Sequence, residues 1–359
     1  MPGFFSGVNS KDSYKKNGGF CSFFIRPPLQ PRRSERKTLR AKIIGTGSYL
    51  PEKIATNDFL STIVDTSDEW IKTRTGIENR HLVSGDETSA YMACKAAERA
   101  LSDAGVKAED IDLIIVATCT SDTLVPSTAC DIQGRLGAVN AAAFDVNAAC
   151  SGFVYALSIA DSFFQNGVYK NALVVGVETL SRIVDWSDRS TCVLFADGAG
   201  AAVVKACETG IISFDMGANG QKGDALKVKN RENNNPFDPG EKPMDHLYMD
   251  GQAVFKFAVR TVPKSIKRTL EKAQLSASDI DYFLLHQSNI RINKDIAQML
   301  KVPIEKFPSN IASCGNTSGA SIPILLDEKR REGLLKEGDA VVLAGFGAGL
   351  TWASCALKL

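Results

Sequence analysis

Histidine is scarce in this chain. Its 359 residues hold three, at 81, 246 and 286, so chemistry that needs an imidazole has few candidates. No apolar run reaches the ~18 residues of a membrane-spanning helix. The nine cysteines (21, 94, 119, 130, 150, 192, 207, 314 and 355) are odd in number and show no C-x-x-C spacing. That argues against a zinc site and a disulfide framework, and for a reducing compartment. Net charge is only +1, but it is uneven. Residues 1–40 carry nine Lys/Arg against Asp12 and Glu35; the remainder carries 33 basic and 39 acidic residues. An acidic body repels phosphate backbones, so nucleic acid is not an expected partner. The basic N-terminus contains serines and no sustained apolar run. It has the composition of an organelle transit peptide and is expected to be disordered.

The packed body is expected to start near Ala41. "AKIIGTGSYLP" reads as a buried strand and then a turn, and "TSAYMACKAAERALSDAGV" as a helix stopped by Gly105. "IDLIIVAT", "AAFDVN", "NALVVGVET" and "GAGAAVV" read as strands, and "SGFVYALSIADSFFQNG" as a helix. Strands separated by helices imply α/β layers. The pattern then recurs. Asp110-Ile111-Asp112 returns as Asp279-Ile280-Asp281, offset by 169, and Ala172 of "NALVV" returns as Ala340 of "DAVVL", offset by 168. A near-constant offset at two places implies two similar halves, 41–213 and 214–359. Residues 218–246 are polar, Asn/Gly/Pro-rich and patternless, as a functional or disordered loop would be.

Cys150, in "FDVNAACSGFVYAL", stands where a strand turns into a helix. The positive end of that helix is expected to lower the thiol pKa and favour a nucleophilic thiolate. A buried structural cysteine is the alternative. His286 closes the strand "DYFLLHQSN", at the kind of strand end where α/β sites gather, though a lone histidine there also suits a structural role. Asn316 sits among small residues in "SCGNTSGASIP", as an amide donor or as part of an ordinary turn. "GFGAGLT" (345–351) offers backbone N–H groups to an oxyanion or phosphate. "IIGTGS" (43–48) and "ADGAGAA" (196–202) lack dinucleotide-loop spacing and read as tight turns.

In order, "NAACSGF", "HQSNIRI", "GNTSGASIP" and "GFGAGLTW" resemble the thiolase-fold condensing enzymes, most closely the β-ketoacyl-[acyl carrier protein] synthase III family. The resemblance spans 41–359 and includes "DEWIKTRTGIENR", "WSDRSTCVLFADGAGAA" and "GQAVFKFAV". It implies a five-layer α-β-α-β-α fold of two pseudo-repeated halves and a homodimer. It also implies a Cys150–His286–Asn316 triad, with the backbone amides of Cys150 and Ala348 as oxyanion donors. Acyl-CoA would acylate Cys150, and malonyl-acyl carrier protein (malonyl-ACP) would then lose CO₂ and condense, with no metal or organic cofactor. Trp70 and Arg189 would sandwich the CoA adenine beside Arg74 and Thr75, with Gly251, Phe255 and Asn289 along the pantetheine channel. Lys256, Arg260 and Lys264, at i, i+4, i+8 on a helix that Pro263 disturbs, would dock ACP with Arg291. Leu124 and Val125 match the region that caps the partner's acyl pocket. The N-terminal extension implies a plastid stromal form. A type III polyketide synthase, which extends CoA esters without ACP, is the rival within the fold. A non-catalytic thiolase-fold binding protein is the rival outside that chemistry.

Overall fold

Strands that are apolar on both faces have to be covered on both faces, and that requirement sets the layering here. The computed structural model describes residues 38–359, apart from 231, 234 and 241–243. All but the last three residues of the expected transit segment therefore lie outside the described residues.

One sheet contains β1 (Arg40–Tyr49), β2 (Leu113–Ala117), β3 (Ala142–Val146), β4 (Asn171–Thr179) and β5 (Asp197–Cys207), in the order β1-β5-β4-β2-β3. A second large sheet contains β6 (Ile211–Ala218), β7 (Tyr282–Leu285), β8 (Ala340–Gly347) and β9 (Thr351–Lys358), in the order β7-β8-β9-β6. The helices of eight or more residues are α1 (Asp68–Thr75), α2 (Ser89–Ala104), α3 (Thr128–Leu136), α4 (Gly152–Gln165), α5 (Gly251–Ala273), α6 (Ile290–Leu300) and α7 (Ser321–Arg331).

Alternate residues of each central strand enter different cores. Leu113 and Ile115 of β2, Val174 of β4, and Val341 and Leu343 of β8 pack with Phe153, Leu157, Ile322 and Leu325 of α4 and α7. Ile114, Val116, Leu173 and Val175 face α2 and α3. Phe283, Leu285, Val342 and Ala344 face α5 and α6. The order is therefore helices, sheet, α4 with α7, sheet, helices, the expected five layers. Because α4 lies between two sheets, it is apolar on nearly all sides.

The duplication is visible in hydrogen bonds. The Asp112 amide donates to Asn171 O, and the Asp281 amide donates to Ala340 O. In return the Asp112 carboxylate accepts from the Asn171 amide and the Asp281 carboxylate from the Ala340 amide. Both aspartates precede a parallel pairing, β2 with β4 and β7 with β8. The expected boundary at 213/214 falls inside β6, a strand of the second sheet.

Two glycine motifs need correcting. "IIGTGS" and "ADGAGAA" are not turns: the first lies inside β1 and the second leads into and forms the first half of β5. A Cβ on Gly45 or Gly47 would come within 2.5 Å or 2.3 Å of α2 backbone atoms, and one on Gly200 within 2.6 Å of the Ile324 amide on α7. These glycines permit close helix–strand approach. The patternless stretch 218–246 also contains structure. A short strand, Leu226–Lys227, pairs with Tyr248–Met249 and places Leu226 in the core. Among the described residues no helix is long and apolar enough to cross a membrane.

Candidate active site

Between β3 and α4 lies a 3-10 turn, Ala149–Ser151, and Cys150 is its middle residue. Ala149 enters the turn at φ +46°, a left-handed conformation that costs a residue with a Cβ about 1 kcal/mol. The second sheet reaches this turn through glycine. A Cβ on Gly347 would stand 2.7 Å from the Cys150 amide nitrogen and 3.2 Å from its sulfur. Thr351 pins the junction. Its hydroxyl lies 3.0 Å from both Ala148 O and Ala348 O, and Ser151 Oγ donates to it at 2.8 Å.

Cys150, His286 and Asn316, far apart in sequence, line one cavity of about 290 Å³. The His286 amide donates to Ala344 O at 2.8 Å, extending the β7–β8 ladder, and its ring meets Phe346 edge-on at 5.3 Å. Burial lowers this imidazole's pKa to about 3, so at neutral pH it is uncharged with one N–H to donate; its buried Nδ1 has no protein partner. Asn316 is clamped at 3.0 Å and 2.9 Å to Leu194 O and the Ala196 amide. Its Oδ1 accepts from the Ser318 amide, which leaves the NH₂ as the unengaged end of the side chain.

The thiol differs from its sequence expectation. Burial pushes Cys150 up to about 12, opposing the helix end, with the nearby Glu178 carboxylate adding to the rise and the Ser318 hydroxyl working against it. The sequence could show the helix terminus but not how much water folding removes.

Trp70, Arg74, Thr75, Gly251, Phe255 and Asn289 line the same cavity as Cys150. Asn289 caps α6 and donates to Arg74 O at 3.1 Å, tying α6 to the end of α1. Arg189 does not line the cavity, but its neighbour Ser190 does. The Arg74 and Arg189 guanidiniums lie over the Trp70 ring at 4.5 Å and 4.8 Å. Arg189 is also held by a 2.7 Å bond to Asp65 O. At those contact distances no purine fits between Trp70 and Arg189 in this conformation.

Helix α5 runs unbroken through Pro263, contrary to the expected disturbance, and exposes Lys256, Arg260 and Lys264. Asp224 and Asp250 line the same shallow surface depression as Lys256 and Arg260. Arg291 is exposed at the start of α6 and donates to Thr73 O at 3.2 Å. A second cavity, of about 450 Å³, also reaches Cys150 and is lined by Cys119, Leu124, Leu226, Ser318 and Ala348 among others. Leu226, Ser318 and Glu178 were not singled out from sequence. The only hint for Glu178 was an acid inside the apolar run "ALVVGVET".

Residues 144–220 match the family model described as 3-Oxoacyl-[acyl-carrier-protein (ACP)] synthase III, and 270–359 match its C-terminal model. The beta-ketoacyl-[acyl-carrier-protein] synthase III of Clostridium acetobutylicum is 50% identical over 319 residues, 88% of this chain and 98% of its own. This chain belongs to the 3-oxoacyl-[acyl-carrier-protein] synthase III family. The synthase III of Xanthomonas campestris is also 50% identical, over 332 residues, 90% of this chain and 99% of its own. Among solved structures, synthase III from Aquifex aeolicus superimposes with a TM-score of 0.83 at 46% identity, covering 89% of this chain and all of that one. The priming beta-ketosynthase of the R1128 polyketide pathway gives 0.85 at 37%, covering 93% and 99%. The chain is thus an acyltransferase with the thiolase fold of synthase III.

Proposed function

We propose that this synthase III initiates fatty acid synthesis through an acyl-Cys150 intermediate. Acyl-CoA and malonyl-ACP condense to 3-oxoacyl-ACP, CoA and CO₂. The observation that carries the residue assignment is the convergence of Cys150, His286 and Asn316 on one cavity.

Cys150 sulfur attacks the acyl-CoA carbonyl, and CoA leaves as a thiolate that takes a proton from solvent. The backbone amides of Cys150 and Ala348 receive the developing oxyanion; one such donor is typically worth ~10²–10³ in rate. Malonyl-ACP then loses CO₂, and the thioester enolate draws N–H donation from His286 and Asn316. A neutral imidazole suits this step, since it donates without being an acid strong enough to quench the carbanion. The carbanion attacks the acyl-Cys150 carbonyl and expels the thiolate. No metal or organic cofactor takes part in this scheme, and acetyl-CoA is our reading of the primer. Trp70, Arg74, Thr75, Arg189, Gly251, Phe255 and Asn289 hold the CoA, with the adenine on Trp70 once a guanidinium moves aside.

Cys150→Ala tests the assignment. Condensation is expected to fall at least ~10³-fold while malonyl-ACP decarboxylation persists. Undiminished condensation would refute the intermediate. For ACP docking, Lys256→Glu and Arg291→Glu raise KM for malonyl-ACP and leave transacylation from acyl-CoA little changed; equal effects on both half-reactions defeat that surface.

The working unit in this reading is a homodimer. Leu124 and Val125 are 79% and 85% exposed, an apolar pair that a second copy would cover. We also place the protein in the plastid stroma, on the nine basic and two acidic residues of segment 1–40; the relatives named above are bacterial. Light scattering tests the dimer, and a fluorescent fusion to residues 1–40 tests the address.

A further inference from the structure

Cys150 carries a proton that has to leave before its sulfur can attack, and the three residues of the cavity offer no good acceptor. His286 is held neutral against protonation by burial, and an amide does not take up a proton. Behind the cysteine lies Glu178, on β4, fully buried and assigned no part in the reaction so far. Its carboxylate accepts from Thr120 Oγ1 at 2.5 Å, from the Cys119 amide at 3.2 Å and from Cys119 Sγ at 3.3 Å. Its other oxygen accepts from Ser318 Oγ at 3.1 Å, and Ser318 lines the second cavity together with Cys150, near enough for its hydroxyl to pull the thiol pKa down. Two features make room for this chain. Ser318 adopts φ +47°, a left-handed conformation, and Gly319 is bare where a Cβ would sit 3.3 Å from Glu178 Oε1 and 3.2 Å from Ala149 O.

A serine hydroxyl has one proton. An ionised carboxylate only accepts, so the Ser318 proton points to Glu178 and the serine lone pairs stay free to accept from the Cys150 S–H. That is the starting state of a two-step transfer. We infer that Glu178, acting through the Ser318 hydroxyl, receives the Cys150 proton as the acyl-enzyme forms. The thiol proton passes to Ser318 Oγ, and the serine proton passes to Glu178 Oε1. The sulfur attacks, and the bond from the acyl carbon to CoA sulfur breaks. When condensation expels the Cys150 thiolate, the proton returns by the same route.

The physical advantage is constancy of charge. Ionising Cys150 beside an ionised Glu178 would put two negative charges in one dry space. Moving the proton between them keeps the count at one and shifts it toward the start of α4, where the helix end favours it. Burial raises the Glu178 carboxyl above the ordinary carboxylate range, the direction that suits a proton acceptor. Other titratable groups near by are Cys119, hydrogen-bonded to Glu178, and, on the second cavity, Arg182, Lys227 and Lys229. Arg182 is paired with Asp122 at 2.6 Å, Lys227 with Asp224 at 2.7 Å, and Lys229 lies 3.9 Å from Asp245. Glu178 is a positioning residue in this scheme, since it reaches the sulfur only through Ser318.

The inference rests on Cys150 as the acyl acceptor, and the experiment separates the two. Acyl-enzyme formation from acetyl-CoA is followed by mass spectrometry in single turnover from pH 6 to 10. The wild type, Glu178→Gln and Ser318→Ala are compared. Both variants are expected to acylate ~10²-fold more slowly at pH 7, with a rate that climbs with pH where the wild type is flat. Malonyl-ACP decarboxylation should stay within about threefold of wild type, as a general structural defect would not allow. If Glu178 is only a buried charge, its removal eases thiol ionisation and the profile moves to lower pH; that overturns the relay. So does an unchanged profile, or an equal loss in both half-reactions. Should Glu178→Gln not fold, the Ser318→Ala profile decides alone. If the wild type forms no acyl-enzyme at all, the Cys150 reading itself has failed.

Discussion

Two turns, one in each half, share a backbone and differ in what they carry. Ala149–Ser151 leads into α4, and Ser318–Ala320 leads into α7. Each is a 3-10 turn, and each begins with a non-glycine residue in the left-handed region, Ala149 at +46° and Ser318 at +47°. Those residues are 169 apart, the offset of the Asp-Ile-Asp repeat. The counterpart of Cys150 is therefore Gly319. Duplication copied the main chain, and chemistry followed from making the side chains unlike. One turn presents a thiol. The other presents a hydroxyl, and the position matching the thiol is bare, so that the two turns and Glu178 can crowd together.

Making the turns alike is the strongest way to break this contrast. Cys150→Ser removes the thiol that sets the first turn apart, and acyl transfer is expected to fall by ~10³-fold or more, because an alcohol ionises far less readily than a thiol. Single-turnover CoA release measures it. Gly319→Ala introduces a Cβ between Ala149 O and Glu178, at 3.2 Å and 3.3 Å. A cost of about 1–3 kcal/mol in stability is expected, with slower acylation, read by denaturant unfolding and the same assay.

The third test contrasts a group held neutral with its unfolded state. His286 has a native pKa near 3 against 6.5 when solvated. The unfolded chain thus binds more protons between those values, and stability rises with pH there. This contribution is flat above 6.5 and falls by up to about 1.4 kcal/mol per unit as pH drops below it. His286→Gln is expected to flatten that part of the Tm–pH curve; an unchanged slope would assign it to other groups. The smallest effect belongs to Ala149→Gly, which relieves left-handed strain but adds freedom to the unfolded chain. A change within about 1 kcal/mol is expected.

Much of this was legible in sequence because it depends on local pattern. The runs around Ile115, Val174 and Val342 show no polar alternation, which is what burial between layers requires, and the Asp-Ile-Asp repeat exposed the duplication. What stayed hidden depends on distance across the fold. Gly45, Gly47 and Gly200 read as turns because a sequence cannot distinguish a glycine needed for bending from one needed for contact. The acidity of Cys150 was misjudged for the same reason: its helix end lies next to it in sequence, while the water it loses is excluded by β8 and the Ser318 turn. Leu226 lay in a stretch with no periodicity, since two-residue strands are too short to show any.

The clasp on Trp70 bears on how the enzyme waits for its first substrate. On the adenine placement proposed above, the two guanidiniums already against the indole are the free protein's own surrogate for the incoming nucleotide base. CoA affinity then measures an exchange of stacking partners rather than a gain of one. A displaced arginine becomes available to meet the phosphates of the same molecule that evicted it.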